Sequence, residues 1–190
     1  MFVFFDTETT GIPKRYDAPV TDLANWPRVV QVAWMTCTRA GEEIASCETI
    51  IQPEGFHIPA EVSRIHGITT ERASQEGRLL LLVLQEFTQA VKECKSLVAH
   101  NISFDAAVLG AEYLRAKLPN PLTSRKQICT MLTTTNYCRL PGSRGFKWPK
   151  LIELHQKLFG KPHDDTHRAL ADVRACAKCF FELQRLGVIK

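Results

Sequence analysis

No apolar stretch in the 190-residue chain is long; the longest, Leu79 to Leu84, runs for six residues, against the roughly 20 needed to cross a bilayer. A membrane-spanning helix is excluded. The opening segment Met1 to Glu8 holds no basic residue and meets acid at Asp6, unlike a secretory leader, which starts basic and continues apolar. Glycine and proline are scarce, ten of each, so collagen-like and low-complexity architectures are excluded. There is no paired cysteine framework either. The seven cysteines (Cys37, Cys47, Cys94, Cys129, Cys138, Cys176 and Cys179) are odd in number and scattered, which predicts reduced thiols and a cytoplasmic location. No repeat or linker divides the sequence. With 45% apolar and 23% charged residues, one globular domain over residues 1–190 is expected.

Net charge is small, +4, but unevenly placed. From Thr123 to Pro162 eight basic residues face one acid, Glu153, so this stretch carries +7 and the remainder −3. Tyr137, Phe146, Trp148 and Phe159 are interleaved with the cations. Cations beside aromatic faces suit phosphate attraction and base stacking on single-stranded nucleic acid; a solvated loop with ordinary core aromatics would read the same way.

Periodicity supplies the elements. Phe2 to Asp6, Val29 to Thr38 and Ser46 to Gln52 predict three strands in a meander. Arg78 to Cys94 places Leu80, Leu84, Phe87 and Val91 on one helical face, and Leu97 to His100 reads as a buried strand. Helices are expected over Phe104 to Leu118, Pro149 to Phe159 and Thr166 to Leu186, with a fifth strand over Gln127 to Met131. The fold class is α/β, a mixed five-stranded β-sheet flanked by α-helices.

Acids stand where a core-building sequence would not choose them. In FDTETTG, Asp6 and Glu8 are two apart at a strand end, so both side chains leave on one face. Two carboxylates that close repel unless a cation sits between them, although an exposed acidic turn would also fit. In HNISFD, Asp105 opens a helix, where an acid also complements the helix dipole. In HDDTHRALAD, Asp172 lies inside the last helix. His167 precedes it by five residues, about 140° beyond a full helical turn. The pair can share a site only if His167 stands at or before the helix start.

FDTETTG, HNISFD and the His167 to Asp172 segment resemble the three motifs of the DEDDh family, the DnaQ-like 3′-to-5′ exonucleases with a ribonuclease H-like fold. The resemblance spans Phe5 to Asp172, and Ile58 to Thr69 (IPAEVSRIHGIT) resembles the stretch after the third strand in proofreading-type members. It implies that Asp6, Glu8, Asp105 and Asp172 bind two divalent cations, Mg²⁺ or Mn²⁺, and that His167 is the general base. Hard oxygen ligands select such ions, and a neutral histidine can take a proton from water near pH 7. It also implies that the backbone around Thr9 and Thr10, with His66, Asn101 and Phe104, lines the pocket of the 3′-terminal nucleotide. The residues alone leave other roles open: Phe104 in the core, His66 in a turn before Gly67, Asn101 as a helix cap.

The expected function is hydrolysis of phosphodiester bonds from the 3′ end of nucleic acid, single-stranded DNA favoured, with release of nucleoside 5′-monophosphates. Alternatives are an oligoribonuclease-like trimming of RNA and a non-catalytic nucleic-acid-binding module. A DNA polymerase or other replication or repair protein is a partner class the resemblance implies; no membrane is expected as partner. The series His163, His167, Cys176, Cys179 invites a structural zinc reading, but both cysteines fall in a helical pattern with Cys176 on its apolar face. His163 lies nine residues before Asp172, a spacing unlike the family's.

Overall fold

The computed structural model describes residues 1–163 and 168–189. Its center is a sheet of five strands: β1 (Phe2–Thr9), β2 (Val29–Cys37), β3 (Glu43–Ile50), β4 (Ser96–Ala99) and β5 (Lys126–Cys129), in the order β3-β2-β1-β4-β5. The first three form the antiparallel meander; β4 and β5 run parallel to β1. Among the described residues there are seven α-helices: α1 (Ala60–His66), α2 (Thr70–Glu76), α3 (Leu80–Glu93), α4 (Ile102–Arg115), α5 (Thr130–Cys138), α6 (Leu151–Phe159) and α7 (Ala169–Arg185). A short hairpin of β6 (Pro141–Gly142) and β7 (Gly145–Phe146) precedes α6. The mixed sheet with flanking helices matches the expected fold class.

Strand alternation sorts the core into two layers. Val3 and Phe5 of β1 face one side, where Leu84, Phe87 and Val91 of α3 and Val108 and Leu109 of α4 cover them. Phe4 faces the other, against Val173, Cys176, Phe180 and Leu183 of α7, its ring 5.4 Å from that of Phe180 in an edge-on contact. The parity continues past the core: Asp6 and Glu8 share the α7 face, and Thr7 shares the α4 face.

Hydrogen bonding between β1 and β4 covers only Phe2 to Phe4, whereas β1 runs on to Thr9. The strand order also reverses between β1 and β4. Open α/β sheets bind ligands outside the carboxyl ends of strands at such a reversal, and the acidic residues gather there.

Several bounds differ from expectation. The fifth strand ends at Cys129, and Thr130 begins α5, a helix the sequence reading lacked. Its run of threonines has low helix propensity, but Thr133, Thr134 and Thr135 donate their hydroxyls to the carbonyls of Cys129, Thr130 and Met131 one turn back. Helices α1 and α2 also went unanticipated, being seven residues each and too short for a periodic signal. Among the described residues no helix is long and apolar enough to cross a membrane.

Candidate active site

The antiparallel register pairs Asp6 with Ala33 and Glu8 with Gln31, then slips after Glu8, so the acidic pair occupies the last regular positions of β1. Asp172 stands in the first turn of α7. That helix start is held by Glu48 of β3, whose Oε1 accepts the Leu170 amide at 3.0 Å, satisfying one of the four amides a helix start leaves unpaired. Asp6, Glu8 and Asp172 each offer a carboxylate oxygen, and these oxygens all lie within 4.8 Å of one another.

Asp105 is near this triad but turned differently. Its Oδ1 accepts the Thr7 amide at 3.1 Å and the Thr7 hydroxyl at 2.7 Å. It is fully buried in the first turn of α4. The structure therefore brings three of the four expected carboxylates to shared-ligand distance and commits one oxygen of the fourth to the strand.

Burial and mutual repulsion dominate the electrostatics. Asp6 is raised well above the usual carboxyl range, first by burial and then by Asp105, Asp172 and Glu8. Burial, followed by Asp172 and Asp105, pushes Glu8 from 4.5 up to about 8. Asp105 is raised to about 7 by burial, against the opposing pull of its bonds from Thr7. Such a cluster of hard oxygen donors fits a divalent cation, which would supply the missing positive charge.

A cavity of about 270 Å³ opens on two of the three, Asp6 and Asp172, and is lined also by His100, Lys150, Leu151, Ile152 and His163. His163 Nε2 is 3.5 Å from Asp172 Oδ1. His163, whose nine-residue spacing from Asp172 is unlike the family's, thus stands beside that carboxylate. His167, the expected base, lies outside the described residues.

The expected nucleotide-pocket residues divide. The Thr9 hydroxyl donates to the Gly11 carbonyl at 2.5 Å. Thr10 is tied to Arg28 in both directions, amide to carbonyl at 2.9 Å and Arg28 amide to Thr10 Oγ1 at 3.0 Å. Both hydroxyls thus shape the backbone. His66 serves the turn: its Nδ1 accepts the Ile68 amide at 3.1 Å, and Gly67 caps α1 at φ 74°, where glycine alone is unstrained. That acceptor role places the proton of the neutral ring on Nε2. Nε2 is buried without a well-formed hydrogen bond. Burial lowers the pKa of His66, and the Thr9 carbonyl partly opposes it. Asn101 adopts φ 71°, ψ 44° before α4 with no side-chain cap bond, a conformation asparagine tolerates. Its Oδ1 accepts from Ser103 Oγ at 3.2 Å. Phe104 packs partly on the core with its ring 6.4 Å from Tyr16.

Sequence reasoning missed Glu112, Arg28 and His100. Glu112 follows Asp105 by seven residues, two helical turns, so a second buried acid on one face of α4 was the available signal. Its Oε1 takes Arg28 Nε at 2.8 Å, the Val29 amide at 3.0 Å and Arg115 Nη1 at 3.2 Å, anchoring the segment bonded to Thr10. Half-buried His100, depressed to about 4 mainly by desolvation, bridges Thr130 Oγ1 through Nδ1 and the Pro149 carbonyl through Nε2, each at 2.9 Å. Cys176 and Cys179 are buried in the α7 core layer.

A mixed sheet of this order, with carboxylates from its central strand and last helix converging where the strand order reverses, defines a ribonuclease H-like nuclease domain of the DnaQ-like type. The profile of the RNase_T family, whose description is Exonuclease, matches residues 3–180, and the chain belongs to that family. It is 31% identical over 179 residues to the DNA polymerase III subunit epsilon of Treponema pallidum, covering 94% of this chain and 74% of that one. It is 29% identical to the PolC-type DNA polymerase III of Latilactobacillus sakei, of which it spans only 11%. The zinc-bound Escherichia coli exonuclease I–single-stranded DNA complex superposes with a TM-score of 0.74 at 19% identity, covering 97% of this chain and 40% of that one; this likeness concerns the fold.

Proposed function

We propose that this chain hydrolyses single-stranded DNA from its 3′ end, releasing nucleoside 5′-monophosphates, with two divalent cations, Mg²⁺ or Mn²⁺, held by Asp6, Glu8, Asp172 and Asp105. The observation that carries the reading is the convergence of the Asp6, Glu8 and Asp172 oxygens within 4.8 Å. Bound ions would offset the negative charge that develops at phosphorus and on the leaving 3′-oxygen. His167 accepts the proton of the attacking water, whose oxygen bonds phosphorus as the bond to the 3′-oxygen of the preceding nucleotide breaks. The leaving oxygen takes a proton and becomes the new 3′ terminus. Backbone at Thr9 and Thr10, the Nε2–H of His66, Asn101 and Phe104 orient the terminal nucleotide. DNA is favored because the related epsilon and PolC chains are named as DNA polymerase III proteins; the epsilon likeness also supports recruitment by a polymerase.

The test uses 5′-labelled single-stranded DNA and RNA of one sequence, with a 3′-blocked control, in Mg²⁺ or Mn²⁺. Metal-dependent ladders shortening from the 3′ end, faster on DNA, are expected; ladders on RNA alone would replace the substrate, and no hydrolysis of either would overturn the reading. In the same assay His167→Ala is expected to slow the reaction by about 10²- to 10⁴-fold while the Mn²⁺-induced rise in melting temperature is kept. An unchanged rate removes His167 as the base.

A further inference from the structure

A second cavity, of about 370 Å³, adjoins the acidic one and shares His163 with it. Its charge is opposite. Among the described residues that line it are four cations, Lys161, Arg168, Arg174 and Lys178, and two imidazoles, His155 and His163, against one carboxylate, Glu48. That carboxylate is already engaged by the Leu170 amide at 3.0 Å. Arg174 meets Glu43 Oε1 at 3.3 Å, whereas Lys161 and Lys178 pair with no carboxylate among the described residues. None of the residues implied for the nucleotide pocket, Thr9, Thr10, His66, Asn101 and Phe104, lines this cavity.

The cations are gathered by packed elements. His155 of α6 is only 3% exposed, and it donates its Nδ1–H to the Lys161 carbonyl at 2.8 Å, which fixes the backbone that carries Lys161. Its ring lies 4.6 Å from that of Phe159 and 5.7 Å from that of His163. Lys178 Nζ stands over the Phe159 ring at 4.4 Å. Arg174 and Lys178 are four apart on α7 and so leave on one face, a spacing at which like charges repel. Burial lowers the pKa of His155; the Lys161 carbonyl opposes this, and the Lys178, His163 and Lys161 charges lower it further. An anion in the cavity would relieve that crowding. The volume lies within the range of small-ligand pockets, about 300 to 1,000 Å³.

We infer that this cavity holds a phosphate monoester, and that the nucleoside 5′-monophosphate released at the acidic site is its source. Only the source rests on the exonuclease reading. A monoester carries about −1.5 to −2 at neutral pH, which suits a cavity with cations in excess better than the single charge of a diester within a strand. Freed beside Asp6 and Asp172, it faces carboxylates on one side and, past His163, the cations on the other. The cavity thus draws product away from the acids.

Calorimetric titration of the full chain with inorganic phosphate, dTMP and thymidine, at neutral pH in EDTA, tests the site apart from hydrolysis. Phosphate and dTMP are expected to bind and thymidine not, with dTMP the tighter because Pro162, Leu170 and Ala175 also line the cavity and can cover the nucleoside. The double variant Lys161→Gln, Lys178→Gln should weaken dTMP by roughly tenfold or more. Lys161→Arg with Lys178→Arg should keep the affinity, and Lys126→Gln, which removes a charge from β5, should not change it. An unchanged melting temperature would show that the glutamine variant still folds. Unchanged dTMP affinity in that variant, thymidine bound as tightly as dTMP, or an equal loss for dT8 without a 5′-phosphate overturns the inference; equal affinity for phosphate and dTMP overturns the mononucleotide as occupant. Lysine-dependent dTMP binding by a chain that hydrolyses nothing would sustain the site and remove the exonuclease reading, whereas hydrolysis by a chain whose dTMP affinity ignores the lysines would remove the site alone.

Discussion

Glu8→Gln is expected to lose hydrolysis by roughly 10³-fold or more and, in the absence of metal, to melt at a higher temperature than the wild type at pH 8. The loss follows from taking one ligand out of the triad, where metal-ion charge stabilization contributes several kcal/mol and each 1.36 kcal/mol is tenfold in rate. The gain in stability comes from the same crowding. Glu8 titrates near 8 in the fold against 4.5 ordinarily, so the folded state holds a proton that the unfolded chain has released. Its contribution is complete below about pH 4.5 and disappears as the pH rises through about 8; above that, a charge stands among Asp172 and Asp105 uncompensated. Glutamine carries no charge to lose. The advantage of Glu8→Gln should therefore be near zero at pH 4.5 and grow toward pH 8, reaching about 2 to 8 °C for ~1–2 kcal/mol in a chain of this size. Mn²⁺ should reverse the order by stabilizing only the wild type. Thermal melts in EDTA and in Mn²⁺ from pH 4.5 to 8 decide it: a difference that does not vary with pH would contradict the electrostatic account. Asp6→Asn should behave alike, since its carboxyl is raised for the same reasons.

Glu112→Ala is expected to cost about 3 to 5 kcal/mol, the range for breaking a buried ion pair from one side. The carboxylate is fully buried, and Arg28 and Arg115 are only 24% and 16% exposed in their side chains, so removal strands two guanidiniums and the Val29 amide. Arg115 also donates to the carbonyls of Leu23, Trp26 and Pro27. Two side chains of α4, Glu112 and Arg115, thus tie down the loop between β1 and β2. A melting temperature lower by roughly 6 to 20 °C is expected, with Glu112→Gln less affected because it keeps an acceptor for Val29. A loss under about 1 °C in Glu112→Ala would show that the loop is held otherwise. Activity should fall as well, because Arg28 is the residue bonded to Thr10 on both sides.

The large elements were legible because one-sided burial leaves a periodic trace. Leu80, Leu84, Phe87 and Val91, chosen by spacing, are buried on α3, and Ala169, Val173, Cys176, Phe180 and Leu183 are buried on α7. The acidic face was legible too, since alternation alone puts Asp6 and Glu8 on one side of β1. What escaped were features made by distant pairings. That Asp105 would turn one oxygen to Thr7, 98 residues away, depends on how α4 crosses β1. That Lys150 and His100 would share a wall depends on a hydrogen bond to Pro149 across 49 residues. The α5 threonines misled for the opposite reason, a local propensity overruled by their own hydroxyl bonds.

The clasp between Asp105 and Thr7 has a consequence for solvent exchange. The pairing of β1 with β4 ends at Phe4, and farther along the Thr7 amide is held by a carboxylate instead of a peptide carbonyl. An acceptor that titrates grips an amide less strongly once it is protonated. Deuterium should then enter at Thr7 faster, relative to the other inner amides of β1 after correction for intrinsic rates, when the pH falls below about 7, the value to which Asp105 is raised. The strand's middle becomes a built-in gauge of the site's charge, readable amide by amide.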